Sequence, residues 1–157
     1  MRVIAIAAGA LVSACVSVST EVRHTDTTLA AIEGARVRSC PAGREQPNAR
    51  HEGFGPASGV TGEDVAFTPL ASHPNMMMRM RRLTVAPGGV IAWHDHTQVQ
   101  GMAIVVAGEM VEIRNTCLDR MLHRAGDIAR EDAETAHSWR NEGDEPAVVL
   151  VTHIVPR

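Results

Sequence analysis

Two histidines one residue apart, His94 and His96, stand in the stretch GGVIAWHDHTQVQG between Gly88 and Gly101. Alternate side chains of a strand share a face, so both imidazoles point one way while Asp95 points the other. That is half of a site for a borderline divalent ion such as Zn, Fe, Ni, Cu or Mn, with the other ligands to come from elsewhere in the fold. The run Met76 to Met80 offers thioethers for copper, but strand alternation divides it between two faces, as expected of gap-filling methionine. Arg79, Arg81 and Leu83 share one face there, and Met78, Met80 and Arg82 the other. An arginine aimed into a cavity can take a substrate carboxylate; an exposed edge is the simpler reading. His24, His51 and His73 read as solvated, and His123 and His153 as structural or surface residues. The chain has no lysine, which excludes Schiff-base and lysine general-base chemistry.

The elements that must carry these residues are short β-type runs separated by turn residues. Strands are expected near 76–86, 90–95, 102–107, 109–114, 120–124, 127–130, 136–141 and 146–155, punctuated by Pro87-Gly88-Gly89, Gly108, Asn115-Thr116, Gly126-Asp127 and Asn141 to Asp144. No long amphipathic helix stands among them, which points to an all-β sandwich or barrel. Residues 17–62 are polar and broken by Gly and Pro, as in a linker and loose arm, with a short helix conceivable at 25–32.

The spacing of residues in this region resembles the cupin superfamily of small jelly-roll barrels. Its first motif is G, five residues, HxH, three or four residues, E, six residues, G; here Gly88 precedes His94-Asp95-His96, with Gly108 beyond. Its second is G, five residues, P, x, G, two residues, H, three residues, N; here Gly126 precedes His137 and Asn141. The resemblance spans about 63–157 and implies a single jelly-roll domain there, preceded by an irregular extension. It also implies an interior ion held by His94, His96 and His137.

The departures are as informative as the matches. Gly101 occupies the place of the acidic ligand, so Gln100, one position earlier, is the remaining neutral donor. Asp132 and Glu134 replace the Pro and Gly of the second motif, so that turn must be made differently. A site without its carboxylate is more positive and favours Zn, Ni or Cu over Mn, with Fe retained as a candidate. Met102, Ile104 and Trp139 are the expected pocket residues, although core packing is the simplest role for both Trp139 and Trp93. Asn141 is expected to satisfy backbone groups at its turn.

The first residues, MRVIAIAAGALVSACVSVST, have a basic start, an apolar run too short to span a bilayer, and then small residues, as in a secretory signal. Val12 to Cys15 resembles a bacterial lipobox, which implies removal of 1–14 and lipidation of Cys15. The mature protein would then be a periplasm-facing envelope lipoprotein, at the outer membrane, or secreted. It would meet the membrane only through that anchor. In such a compartment Cys40 and Cys117 form the expected disulfide. A net charge of −3 with interspersed signs excludes the electrostatic footprint of a nucleic-acid binder.

Two classes of function are consistent with these residues. One is a metal-dependent oxygenase, isomerase or decarboxylase acting on a small organic molecule. Its base would have to be Glu112, Glu109 or hydroxide on the ion, and no catalytic residue is singled out. The other is a non-catalytic envelope protein of the same fold that binds a small ligand or a partner protein. A homodimer is expected to form through strand 76–86 as an edge.

Overall fold

The computed structural model describes residues 30–157. The signal, the lipobox with Cys15, His24 and most of the expected 25–32 helix lie outside the described residues; positions 30–33 are helical. The described chain is built from β1 (Arg36–Val37), β2 (Ser58–Pro69), β3 (Met76–Asp95), β4 (Gly101–Ala107), β5 (Glu109–Arg114), β6 (Met121–Arg124), β7 (Asp127–Glu131), β8 (Ala136–Arg140) and β9 (Ala147–Pro156). The strands run in the order β1-β7-β4-β9-β3-β8-β5-β6, with β2 also paired to β3. The sheet curls into the expected jelly-roll half-barrel.

β3 joins the two halves of this sheet. Its first half pairs with β9 from Met76↔Pro156 to Val85↔Ala147, and its second half pairs with β8 from Val90↔Arg140 to Asp95↔Ala136. Pro87-Gly88-Gly89 makes the bend between them. Gly88 takes φ +75°, a conformation that only glycine adopts without strain. Asn141 donates through its amide Nδ2 to the Glu145 carbonyl at its own turn and to the Val85 carbonyl of β3 beside the bend.

Alternation along the strands fills the interior. Val85 of β3, Ala103 and Val105 of β4, Ala129 of β7 and Val149 and Val151 of β9 point inward and pack with Met110 and Trp139. The parity of β4 is opposite to the pocket expectation. Ala103 and Val105 are buried, whereas Ile104 lies on the outer face and Met102 there is 54% exposed. Strand 76–86 is no edge either, because β2 flanks it on one side and β9 on the other. β2 itself went unread, since SGVTGEDVAFTP is exposed along nearly its whole length and shows no apolar alternation. Its backbone pairing to β3 makes it a strand, a tertiary effect that outweighs propensity. It also crosses the expected boundary at 62/63.

The Cys40–Cys117 disulfide is formed and ties the arm to the turn that follows β5, across a sequence separation of 77. Cys117 is fully buried, which leaves no exposed thiol there. Closing a loop this long restricts the unfolded chain. The Cys40→Ala/Cys117→Ala variant is therefore expected to lose about 3 kcal/mol in urea unfolding.

Candidate functional site

His94 and His137 are direct register partners on β3 and β8, so their side chains leave the sheet on one face. A bulge between Ile91 and His94 adds a residue on β3, and both Ile91 and His94 then line the same cavity. The bulge also frees the Ala92 carbonyl, to which His94 Nδ1–H donates at 2.9 Å. Ser138 Oγ donates to the Ile91 carbonyl at 2.8 Å and satisfies the other loosened group.

His137 is fully buried, and its Nδ1 donates to Glu112 Oε1 at 2.6 Å. Glu112, also fully buried on β5, accepts from Arg114 Nε at 2.8 Å and from His123 Nε2 at 2.8 Å. Burial alone would raise this carboxyl's pKa. The hydrogen bonds from His123 and His137 and the charge of Arg114 outweigh it and hold the group well below the usual range. Glu112 therefore stands behind His137 as its orienting partner, and His123 belongs to the same buried network. Glu109, the other base candidate, faces solvent beside Arg124.

His96 lies just past β3, its backbone N–H donating to the Thr135 carbonyl and its Nδ1–H to the Val99 carbonyl at 2.8 Å. Thr135 sits in the turn that replaces the expected Pro and Gly, where its hydroxyl donates to Asp132 at 2.9 Å. All three histidines thus commit Nδ1 to an acceptor, which leaves each neutral ring with a bare Nε2. These Nε2 atoms converge, His137 lying 2.9 Å from His96 and 3.2 Å from His94. Bare lone pairs that close repel unless a proton or cation lies between them. Tetrahedral ligands at Zn–N distances would stand about 3.3 Å apart, close to what is found. An outer hydrogen bond on each ligating histidine is the usual support of such a centre. The three residues form a group able to hold a metal ion. Trp139 Nε1–H donates at 3.4 Å, a long contact, to the unprotonated His137 Nε2 and closes the site from the core side.

Gln100 turns elsewhere, its amide Nε2 donating to the His96 and Thr97 carbonyls. The carboxylate at the cluster is Glu131, only 4% exposed, whose Oε1 lies 3.7 Å from His137 Nε2 and 4.0 Å from His96 Nε2. Its Oε2 accepts from His153 Nε2 at 2.7 Å, and His96, Glu131 and His153 form a second group of potential ligands. Sequence reasoning missed both Glu131 and His153. Gly101, which occupies the acid's place, is the register partner of Glu131 on one side and of His153 on the other. A Cβ at Gly101 would stand 1.9 Å from the Thr152 carbonyl oxygen, so that position admits no side chain. The acid has moved to the neighbouring strand.

His94 and His96 open on a cavity of about 470 Å³, whose apolar wall includes Leu83, Ile91, Val149 and Val151. Trp139 lines it, whereas Met102 and Ile104 do not. That volume suits a small organic ligand.

Known proteins agree with this architecture. Residues 81–153 match the family Cupin_2, described as Cupin domain. This stretch is similar to a cupin domain. It contains all three histidines, Glu112, Glu131 and His153. The cupin domain of Cnp3 from Schizosaccharomyces pombe is similar in fold, with a TM-score of 0.51 at 10% identity, over 62% of this chain and 66% of that one. The present chain thus spans just under two thirds of that relative. The Cupin_2 domain of an XRE family transcriptional regulator from Enterobacter cloacae gives 0.49 at 15% identity, over 64% and 100%. A predicted oxalate decarboxylase from Thermotoga maritima gives 0.45 at 18%, over 63% and 97%. No curated protein sequence matches the chain.

Burial lowers the pKa of His94, assisted by the charge of His137, and burial likewise lowers that of His96 against the pull of Glu131. Groups whose folded pKa is depressed stabilise the fold above their unfolded value and lose that contribution as pH falls through the folded one. The metal-free protein is therefore expected to lose stability as pH drops below about 6.5, and further below about 4.5, where the unfolded chain takes up protons that the folded Glu112 and Glu131 resist. Urea midpoints at pH 8, 6 and 4 would show the decline.

Proposed function

We propose that this is an exported protein whose cupin domain holds one divalent ion through His94, His96 and His137, with Glu131 as a fourth donor. Zn, Ni, Cu and Fe fit this donor set. The cavity beside the ion takes a small organic molecule for dioxygenation, isomerisation or decarboxylation. The observation that carries this reading is the convergence of three bare Nε2 atoms whose rings are all fixed through Nδ1. An ion bound there would polarise substrate oxygens and, if redox-active, engage dioxygen. The apolar wall excludes water from that chemistry. Export and lipidation at Cys15, at the periplasmic face of a bacterial envelope, rest on the signal-like start and the lipobox resemblance. The disulfide supports them, since such bonds persist in oxidising compartments.

Elemental mass spectrometry of protein exported by its host's own route is expected to find about one equivalent of metal. Glu131→Gln should weaken apparent Zn affinity about tenfold or more in a chelator competition. Folded protein that takes up none of Zn, Ni, Cu or Fe would overturn the reading.

One observation favours a second reading, a cupin that binds without turnover. Both buried carboxylates at the cluster are committed to histidines, Glu112 to His137 and His123, and Glu131 to His153. No free general base remains among these groups. Ligand binding by the loaded protein with no oxygen uptake or product would decide for the binder.

A further inference from the structure

Arg79 and Arg81 leave β3 on its inner face and line the same cavity as the histidine cluster. Their register partners on β9 are His153 and Val151, so Arg79 stands beside the histidine that holds Glu131. The side chains are 24% and 41% exposed, yet the Nε atom of each is buried with no hydrogen-bond partner. Among the described residues, the carboxylate paired with them is that of Asp64. A single oxygen of it lies 3.8 Å from Arg79 Nε and 3.7 Å from Arg81 Nε, beyond hydrogen-bonding distance. Two guanidinium groups thus share one carboxylate that is itself 42% exposed. On the outer face, by contrast, Arg82 has Glu63 to itself.

Space has been left for this arrangement. A Cβ at Gly62 of β2 would stand 2.6 Å from Arg81 Nη2 and 2.9 Å from its Cζ, so the glycine lets the guanidinium lie along the cavity wall. Two guanidinium groups with one shared, distant partner, unsatisfied Nε donors and an apolar wall coincide in a cavity that Glu131 also lines. A planar guanidinium presents paired N–H groups that match a carboxylate, and a partly desolvated site strengthens that pairing.

We propose that Arg79 and Arg81 bind the carboxylate of a small organic acid whose apolar body lies against Leu83, Val149 and Val151. This deepens the function proposed above by naming its ligand class, and it rests on that reading only for the chemistry after binding. The arginine site itself needs no metal ion.

Calorimetric titration with hexanoate and with its neutral analogue hexanamide tests it, on metal-stripped and Zn-loaded protein whose metal content is measured in parallel. Hexanoate is expected to bind at least about tenfold more tightly than hexanamide in both preparations. Arg79→Gln/Arg81→Gln should remove that preference and leave hexanamide unaffected. Asp64→Asn, which frees both arginines from their shared partner, should tighten hexanoate about threefold, an effect that a misfolded variant would not produce. Equal binding of acid and amide, no hexanoate binding at millimolar concentration, or a preference that survives the double arginine variant would each overturn the proposal. If the protein takes up no metal while the stripped preparation still selects the acid, the metal reading fails and the carboxylate site stands.

Discussion

Protein in which His94 and His137 are both alanine is expected to retain less than about a twentieth of an equivalent of metal, where the parent is expected to carry about one. Two of the three converging Nε2 atoms are gone, and in the group that remains, His96, Glu131 and His153, the His153 Nε2 is engaged with Glu131 at 2.7 Å rather than free to close a tetrahedral shell. The apparent affinity should fall by more than about a thousandfold, since even an outer-shell partner is worth tenfold to a hundredfold. A His96→Ala variant should behave alike, because His96 is common to both groups of potential ligands. His51→Ala, on the exposed arm, should leave metal content unchanged and serves as the control. Metal retained at parental levels by the double variant would place the ion elsewhere.

Glu112→Ala is expected to destabilise the metal-free fold by about 3–5 kcal/mol, because breaking a buried charge network leaves its partners unpaired. His137 Nδ1, His123 Nε2 and Arg114 would all lose their acceptor at once. His123 could not recover, since its Nδ1 is already buried without a partner. A loss of that size should lower the melting temperature by about 10–15 °C, as read by circular dichroism. The carboxyl is held well below its ordinary range, so its contribution is present above about 4.5 and fades as pH falls through the folded value. The gap between parent and variant should therefore narrow in acid. Glu109→Ala, on the same strand but facing solvent, should change stability by less than about 0.5 kcal/mol.

Much of the fold was legible because apolar alternation and glycine punctuation are local signals. The runs expected from 76 to 155 coincide with β3 through β9 to within a residue or two at most ends. β2 was illegible because its pairing to β3 is what orders it, and few of its side chains are buried. The inward placing of Met102 and Ile104 fails because a period of two leaves open which of the two sets faces the core. The outer and inner faces of β4 are chosen by its neighbours β7 and β9. Arg79 and Arg81 were grouped on one face correctly, but only the curl of the sheet makes that face a cavity wall.

The same division runs through the site. Spacing along the chain placed His94 and His96 together, since residues two apart on a strand share a side, and the motif resemblance singled out His137. The sequence by itself also marked Gly101 as lacking an acid. Only the tertiary structure showed what replaces it, because Glu131 and His153 reach that place by lateral pairing of β7 and β9 with β4, over separations of 30 and 52 residues. Register between distant strands depends on how their faces pack and has no local signature in the sequence. The ligands that belong to one strand could therefore be read directly, while the carboxylate that completes the cluster had to be found in space.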